Sequence, residues 1–388
     1  MLLPSLVACF ALASAISLEP PSNGNTKSNT PQVNAITFEN LGYTGYYYNV
    51  KELDDSDDCK CKLQKNFQVF EGTNTPLNEE LSVHFRGPLK LHQFAFYSGD
   101  SFVKGSSSGT FERKAYYSAS DNTGDNVTFL TNAGKSSKCL GKALTYASSN
   151  GTEEADSATL LEDDVLLHSD QEYSIFSSTK CEKSGTDKDC GVYRKGIPAY
   201  HGFGGTVKMF LFEFEMPTEP NKNNSNIFYD MPAIWLLNAK IPRTSQYSSN
   251  PNCSCWNSGC GEYDIFEVMN STESNHLFST IHDYQGTDNI NLGMAAKGHF
   301  ARDLDNKMVG GVVFDNEGNA VSFLSNSTSL DSEIGASTLN KWIDTNREVE
   351  DQLESVTLNT SQKKSEGIVP STNFMAWLVS VFSVFMYL

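Results

Sequence analysis

Residues 210–214, within the run 207–215, place a phenylalanine at every second position. Phe210, Phe212 and Phe214 therefore share one face of an extended strand, because successive side chains of a strand point to opposite sides. Glu213 and Glu215 end the other face, which we expect to be partly open to solvent. A segment with this period has to pack within a sheet that covers its aromatic face.

Nine further runs have the length and composition of short strands, and turn residues separate them. They cover residues 43–50, 66–70, 81–85, 89–97, 233–237, 263–269, 277–282, 309–314 and 320–324. The last two flank Asp315-Asn-Glu-Gly318, which is a hairpin signal. Few amphipathic helices are evident, so the pattern predicts an all-β fold, either a β-sandwich or a barrel. Residues 99–195 are rich in Ser, Gly, Asp and Lys, and we expect long loops there.

The N-terminus indicates entry into the secretory pathway. Residues 1–17 combine an apolar stretch with the small residues Ala13, Ser14 and Ala15, as in a signal peptide, although Lys and Arg are missing from its start. A buried N-terminal helix is the alternative. Residues 18–34 are rich in Ser, Asn, Pro and Thr and predict a flexible leader, so the folded domain is expected over residues 35–345.

The C-terminus has the pattern of a glycolipid (GPI) attachment signal. Residues 346–373 form a polar stalk, and residues 374–388 form an uncharged tail that is shorter than the about 20 residues of a membrane helix. Asn359 or Ser365 is the expected attachment residue. A plain tail anchor is the alternative. The predicted location is the cell surface, on a GPI-anchored plasma membrane or in a cell wall.

Cysteine and sequon counts agree with secretion. Of nine cysteines, eight remain once Cys9 of the signal peptide is set aside, which allows up to four disulfides. Zinc binding by Cys253, Cys255 and Cys260 is the alternative for those three. Seven Asn-x-Ser/Thr sequons predict a glycoprotein and begin at Asn126, Asn150, Asn223, Asn252, Asn270, Asn326 and Asn359.

The charge balance limits the partners. The chain carries 47 acidic and 29 basic side chains, a formal net charge of −18, which disfavours nucleic acid because phosphate binding depends on Lys and Arg. A neutral polysaccharide fits better. The acidic run from Asp54 to Asp58 lacks the spaced ligands and glycine of a calcium loop, so a solvated turn is favoured over structural calcium, and no cofactor is expected.

Three carboxylates in one short strand are the strongest chemical signal. Glu262 and Asp264 share a face, and a β-bulge at Ile265-Phe266 would bring Glu267 to the same face. Crowded carboxylates drive their pKa values apart, which suits glycoside hydrolysis with one ionised nucleophile and one protonated acid. An acidic solvent-facing edge strand is the alternative.

The surroundings of this strand resemble a known family. A Pro-Ala-x-Trp segment ending at Trp235 precedes it and a Thr-x-His segment ending at His282 follows, an order similar to the laminarinase and lichenase type of glucanase, glycoside hydrolase family 16, over residues 206–286. The His84-Phe-Arg-Gly-Pro88 motif, the cysteines from 253 to 260 and residues 312–315 extend the similarity over residues 35–345. Together they resemble the fungal cell-wall family of probable circularly permuted 1,3-β-glucanases.

The resemblance implies a jelly-roll-like, circularly permuted β-sandwich and assigns roles at the site. Glu262 would be the nucleophile, Asp264 would tune its ionisation, and Glu267 would be the acid and then the base. His282 would support Glu267 from the next strand. Candidates to stack on sugar rings are Trp235, Trp256 and Tyr284, each of which is otherwise a core residue, and Arg86 could hydrogen-bond sugar hydroxyls or form an ion pair.

The implied activity is a retaining endo-1,3-β-glucanase or transglycosylase that remodels the β-1,3-glucan of a fungal cell wall. A non-catalytic, glucan-binding wall glycoprotein is the alternative, although a binding module has no need of three crowded acids.

Overall fold

The computed structural model describes residues 30–221 and 227–355. The predicted signal peptide, most of the leader, the GPI attachment region with Asn359 and Ser365, the hydrophobic tail and the sequon at Asn223 lie outside these residues. Within the described ranges, no helix is both long and apolar enough to span a membrane.

The described residues form twenty-five strands, two α-helices and four 3-10 turns. The strands are β1 Ala35–Glu39, β2 Gly45–Tyr47, β3 Val50–Glu52, β4 Lys62–Leu63, β5 Gln68–Phe70, β6 Leu81–Arg86, β7 Lys90–Gly99, β8 Thr110–Ser118, β9 Thr123–Asp125, β10 Thr128–Thr131, β11 Ser136–Ser137, β12 Gly141–Lys142, β13 Thr145–Ala147, β14 Glu154–Ala155, β15 Glu172–Phe176, β16 Lys208–Glu215, β17 Ala233–Asn238, β18 Glu262–Glu267, β19 His276–His282, β20 Met294–Ala295, β21 Phe300–Ala301, β22 Met308–Phe314, β23 Ala320–Leu324, β24 Glu333–Gly335 and β25 Glu348–Gln352. The α-helices are α1 Lys240–Thr244 and α2 Ala336–Trp342, and the 3-10 turns are Pro251–Cys253, Trp256–Ser258, Ser271–Glu273 and Thr345–Arg347.

Two large sheets contain most of these strands. The nine-stranded sheet has the order β24-β8-β7-β16-β22-β23-β1-β25, with β9 beside β8. The ten-stranded sheet has the order β14-β13-β10-β15-β6-β17-β18-β19-β20, with β21 beside β19. Early strands lie beside late ones, since β1 is between β23 and β25 and β6 is between β15 and β17. The predicted all-β sandwich is confirmed, and each of the ten predicted strand runs contains a strand.

The main core lies between the two sheets. Phe210, Phe212 and Phe214 of β16 are fully buried in it, as their two-residue period predicts. On the other face of β16, Met209 and Leu211 pack in a second apolar cluster with helix α2. The strand's two glutamates remain half-exposed, so the expectation of a partly open face is confirmed there.

Residues 99–195 are more ordered than their composition suggests. Strand β8 joins the nine-stranded sheet, and strands β10 and β15 join the ten-stranded sheet, so the expectation that this region forms loops is wrong at these three strands. In β8 the charged residues Glu112, Arg113 and Lys114 interrupt the apolar alternation, while Phe111 and Tyr117 are buried. The side-chain pattern of β8 is a poor predictor of a strand, and pairing with neighbouring strands stabilises the segment.

The fold also continues beyond residue 345, into the predicted stalk. Strand β25 pairs parallel with β1, with Glu348 opposite Ala35 and Gln352 opposite Glu39. Its sequence is polar, so backbone hydrogen bonds and ion pairs hold it, including Lys104 with Glu348. The folded part likewise starts before Ala35, because Val33 is buried and its N–H donates to the His299 carbonyl.

Four disulfides pair the eight cysteines of the domain. They join Cys59 to Cys139, Cys61 to Cys253, Cys181 to Cys190 and Cys255 to Cys260. The three cysteines considered as zinc ligands are thus in disulfides, and that alternative is wrong. Two of the bonds start from Cys59 and Cys61, between the paired strands β3 and β4, and link this region to distant segments of the chain.

The acidic run near residue 54 is a turn, as predicted. The Asp54 carboxylate accepts hydrogen bonds from the backbone N–H groups of Ser56 and Lys60. Among the described sequons, Asn126 is half-buried, and its side-chain N–H donates to the Lys114 carbonyl. The other four are exposed, at Asn150, Asn252, Asn270 and Asn326. Glycosylation at these positions stays a prediction.

A buried hydrogen bond joins the two sheets directly behind the carboxylate strand: the Tyr263 and Ser322 hydroxyls are 2.7 Å apart. We expect Tyr263→Phe to lower the free energy of unfolding by about 1–2 kcal/mol, because Ser322 then keeps a buried hydroxyl without that partner. Chemical denaturation measures this. The matched control is the Tyr263→Phe, Ser322→Ala double variant, which should cost less than the sum of the single variants; strictly additive costs would contradict the coupling.

Candidate active site

Strand β18 carries one extra residue relative to β17. Ile234 pairs with Phe266 and Trp235 pairs with Asp264, which leaves Ile265 without a partner. The register against β19 shifts in the same interval. The Ser279 hydroxyl on β19 donates to the Ile265 carbonyl at 2.7 Å, so this bulge carbonyl has a buried partner. The predicted β-bulge is confirmed.

The bulge separates the side chains of β18 by polarity. Tyr263, Ile265 and Phe266 are fully buried in the core between the sheets, as is Val268 just after the strand. The three acidic residues lie opposite members of a separate cluster on the outer face: Glu262 pairs with Leu237, Asp264 with Trp235 and Glu267 with Ala233. Directly paired residues share a face, so all three carboxylates lie together on the outer face of the ten-stranded sheet. We call this side of the sheet the carboxylate face.

Glu262 accepts a hydrogen bond from the indole of Trp256. The Nε1–H of Trp256 donates to Oε2 of Glu262 at 2.5 Å. Trp256 lies inside the small loop that the Cys255–Cys260 disulfide closes, immediately before β18. Its structural role here is a hydrogen bond to a carboxylate, a contact that its expected stacking role did not include.

Asp264 is paired with His282, which lies directly opposite Glu262 on β19. His282 Nε2 is 3.0 Å from Oδ2 of Asp264, and its Nδ1 is 2.6 Å from the carbonyl oxygen of Ile290. A carbonyl only accepts, so Nδ1 carries a proton. The other nitrogen faces a carboxylate, an arrangement that favours the doubly protonated imidazolium. The structure thus places His282 against Asp264, whereas the sequence reasoning expected it to support Glu267.

Glu267 contacts a cation from strand β6. Arg86 Nη2 donates to Oε1 of Glu267 at 3.1 Å, and Nε of Arg86 donates to the Met231 carbonyl at 2.8 Å. The guanidinium carbon is 4.8 Å from the centre of the Phe228 ring. The ion-pair interpretation of Arg86 is confirmed, and its hydrogen bonding to sugar hydroxyls stays a prediction.

Burial controls the ionisation of this group. It raises the pKa values of Glu262 and Glu267 above the ordinary range of a glutamate, and the charge of Asp264 raises both further. Burial lowers the pKa of His282, but the hydrogen bond to Asp264 outweighs it and raises that pKa to about 10. Arg86 and His282 together carry two positive charges. The three carboxylates carry two negative charges when one of them is protonated, and the charges of these five groups then balance.

The aromatic candidates occupy different positions around the carboxylates. Trp235 is buried and stacks on the His84 ring, with centroids 5.3 Å apart. The Trp256 ring is 6.3 Å from that of His282. Tyr284 is half-buried, its hydroxyl donates to the Asn257 carbonyl, and its ring packs at Gly259. All three therefore lie near the carboxylate face, although Trp235 is largely covered.

Sequence reasoning missed a second polar group on the same face. Glu172 on β15 lies opposite Arg86 in the register of strands β15 and β6. Its carboxylate accepts hydrogen bonds from Tyr247 and Gln246. His84 Nδ1 lies 3.3 Å from the same carboxylate. The His84-to-Pro88 motif indicates β6 from the sequence. Glu172 lies within residues 99–195, where loops were expected, so the sequence did not indicate it.

The geometry predicts that His282 stays protonated well above neutral pH. In an NMR titration of the ring, we expect no transition between about pH 5 and 8, because both nitrogens donate to fixed acceptors. Asp264→Asn removes the paired charge and should bring the midpoint of the transition down into that window. A midpoint near the ordinary histidine value in the unsubstituted protein would contradict this arrangement.

Comparison with known proteins gives the relationships of the chain. Two profiles match: "Cell wall protein YJL171C/Tos1, N-terminal" over residues 34–99 and "Cell wall protein YJL171C/Tos1, C-terminal" over residues 109–342. No solved structure matches the chain.

Three curated relatives align over 80–90% of this chain. "Probable circularly permuted 1,3-beta-glucanase PGA52" of Candida albicans is 55% identical over 355 residues, 90% of this chain and 92% of the relative. "Probable circularly permuted 1,3-beta-glucanase YJL171C" of Saccharomyces cerevisiae is 53% identical, over 86% of this chain and 87% of the relative. TOS1 of the same yeast, with the same descriptive name, is 31% identical over 80% of this chain and 90% of the relative. The chain belongs to the fungal cell wall protein YJL171C/Tos1 family.

Proposed function

We propose that this chain is a β-1,3-glucan-active glycoside hydrolase or transglycosylase of the fungal cell wall that works by a retaining, two-carboxylate mechanism. The observation that carries the proposal is the bulged strand β18, which lines Glu262, Asp264 and Glu267 on one face between the cations Arg86 and His282. The names of the relatives support a glucanase-type function.

In the first step the Glu262 carboxylate attacks the anomeric carbon of the glucan. The bond to the bridging oxygen breaks as Glu267 transfers its proton to that oxygen, so the leaving sugar departs neutral and a glycosyl ester with Glu262 forms. In the second step Glu267, now a carboxylate, takes a proton from the incoming hydroxyl, whose oxygen displaces Glu262. The anomeric configuration is inverted twice and is thereby retained.

The charges around the carboxylates suit this cycle. One proton held between Glu262 and Glu267 leaves one nucleophile and one acid, which is the starting state that the first step needs. Burial and the charge of Asp264 raise the pKa of Glu262, and the hydrogen bond from Trp256 opposes that rise. Asp264 is held by the His282 imidazolium and keeps the pKa of both glutamates raised.

The acceptor in the second step decides between hydrolysis and transglycosylation. Water gives a shorter glucan, while a glucan hydroxyl gives a new glycosidic bond. Attachment to the cell surface by the proposed GPI anchor favours remodelling of the wall over digestion, since the enzyme would stay beside its polymer. The family name agrees with a place in the cell wall.

The test is incubation of the protein with reduced β-1,3-gluco-oligosaccharides, followed by sizing of the products. We expect products both longer and shorter than the substrate, and Glu262→Gln should abolish both because it removes the nucleophile. Shorter products alone would assign a hydrolase. No products, with the protein still sedimenting with insoluble glucan, would instead favour a glucan-binding wall protein and contradict the catalytic proposal.

A second experiment separates the roles of the two glutamates. Glu267→Ala should retain activity on an aryl glycoside whose leaving group needs no protonation, and azide should raise its rate and yield the β-glycosyl azide. Glu262→Ala with azide should yield the α-azide, because azide then attacks the anomeric carbon of the substrate directly and inverts it. NMR assigns the anomeric configuration, α or β, of each glycosyl azide. The reverse pattern would exchange the roles of Glu262 and Glu267.

A further inference from the structure

Tyr247 is the one aromatic residue among the strongly exposed large apolar side chains of residues 30–221 and 227–355, with 52% exposure. Its hydroxyl is nevertheless held in place. It donates to Oε2 of Glu172 at 2.6 Å and accepts from Nε2 of Gln246 at 2.8 Å. The ring is therefore oriented by its polar end while its apolar surface faces solvent, an arrangement enriched where aromatic residues bind ligands.

The backbone around Tyr247 is anchored as well. The Ser245 hydroxyl donates to the Leu140 carbonyl at 2.9 Å, and the Ser249 N–H donates to the Cys139 carbonyl at 2.8 Å. Cys139 is in turn bonded to Cys59. Hydrogen bonds on both sides of Tyr247 thus connect its loop to a disulfide-linked segment, so little ordering would be needed when a ligand packs on the ring.

Tyr247 lies on the carboxylate face, at some distance from the reacting groups. Its partner Glu172 begins a row of directly paired residues that runs through Arg86 and Ala233 to Glu267. Three steps of about 4.8 Å between neighbouring strands make this row about 14 Å long, more than the length of one sugar ring.

We propose that Tyr247 is a specificity-determining residue that stacks on a sugar ring of β-1,3-glucan more than one unit away from the bond that reacts. The inference rests on the proposed function. The C–H face of a neutral pyranose matches an exposed aromatic surface, and Glu172 and Gln246 hold that surface in a fixed direction. Tyr247 then selects for chain length, since only a long glucan reaches both the carboxylates and the ring.

The experiment measures binding and turnover separately on the full-length protein. In the Glu262→Gln background, titration calorimetry with reduced β-1,3-gluco-oligosaccharides of increasing length gives affinities without cleavage. We expect Tyr247→Ala to weaken binding of the long oligosaccharides about tenfold and to leave the shortest unchanged. In the active protein, the same substitution should raise KM for long substrates while kcat changes little. Tyr247→Phe should lose less affinity than Tyr247→Ala, because the ring stays while the hydrogen bonds that orient it are lost.

The matched control is Tyr116→Ala, which truncates a half-buried tyrosine whose hydroxyl donates to Gln93 on the nine-stranded sheet. Thermal melting identifies any variant that has lost its fold. Unchanged affinity in Tyr247→Ala at every length, an equal loss at every length, or no binding of any oligosaccharide would overturn the inference. If the active protein turns glucan over normally with Tyr247→Ala, only this inference fails; if binding depends on Tyr247 but no turnover occurs, only the catalytic proposal fails.

Discussion

The single extra residue in strand β18 is the constraint on which the site depends. A regular strand would turn Glu267 to the face opposite Glu262, because five positions separate them and side chains alternate. The bulge at Ile265 corrects this, and the same shift lets Tyr263, Ile265 and Phe266 all enter the core. Core packing and carboxylate alignment therefore have the same cause. The Ser279 hydroxyl supports the bulge from the neighbouring strand, so its geometry is built into the sheet.

The mutual repulsion of the three carboxylates is offset by two cations from neighbouring strands of the sheet. Arg86 arrives on β6 and His282 on β19, on either side of the β17–β18 pair. In a chain with a net charge of −18, these two cations balance the charge of Glu262, Asp264 and Glu267 once the three carboxylates hold a single proton. Removing a cation would leave a buried carboxylate without its partner, which is costly. The electrostatic arrangement thus links substrate chemistry to the order of the strands.

The connection between β17 and β18 supplies side chains to both ends of the carboxylate face. It carries Tyr247, whose hydroxyl reaches Glu172, and Trp256, whose indole reaches Glu262. Two disulfides within or onto this connection, Cys61–Cys253 and Cys255–Cys260, limit its movement. A loop that is cross-linked in this way can hold aromatic side chains at defined positions beside the carboxylates.

Local sequence patterns were sufficient for the ten strand runs, the hairpin after Phe314 and the bulge at Ile265, because each depends on side-chain period and turn residues within a few positions. They were insufficient for β8 and β25, where charged or polar residues obscure the alternation and pairing with distant strands supplies the stability. The contacts of Arg86 with Glu267 and of Tyr247 with Glu172 were likewise out of reach. Each joins residues far apart in the chain, and their proximity follows from strand order, which no short segment encodes.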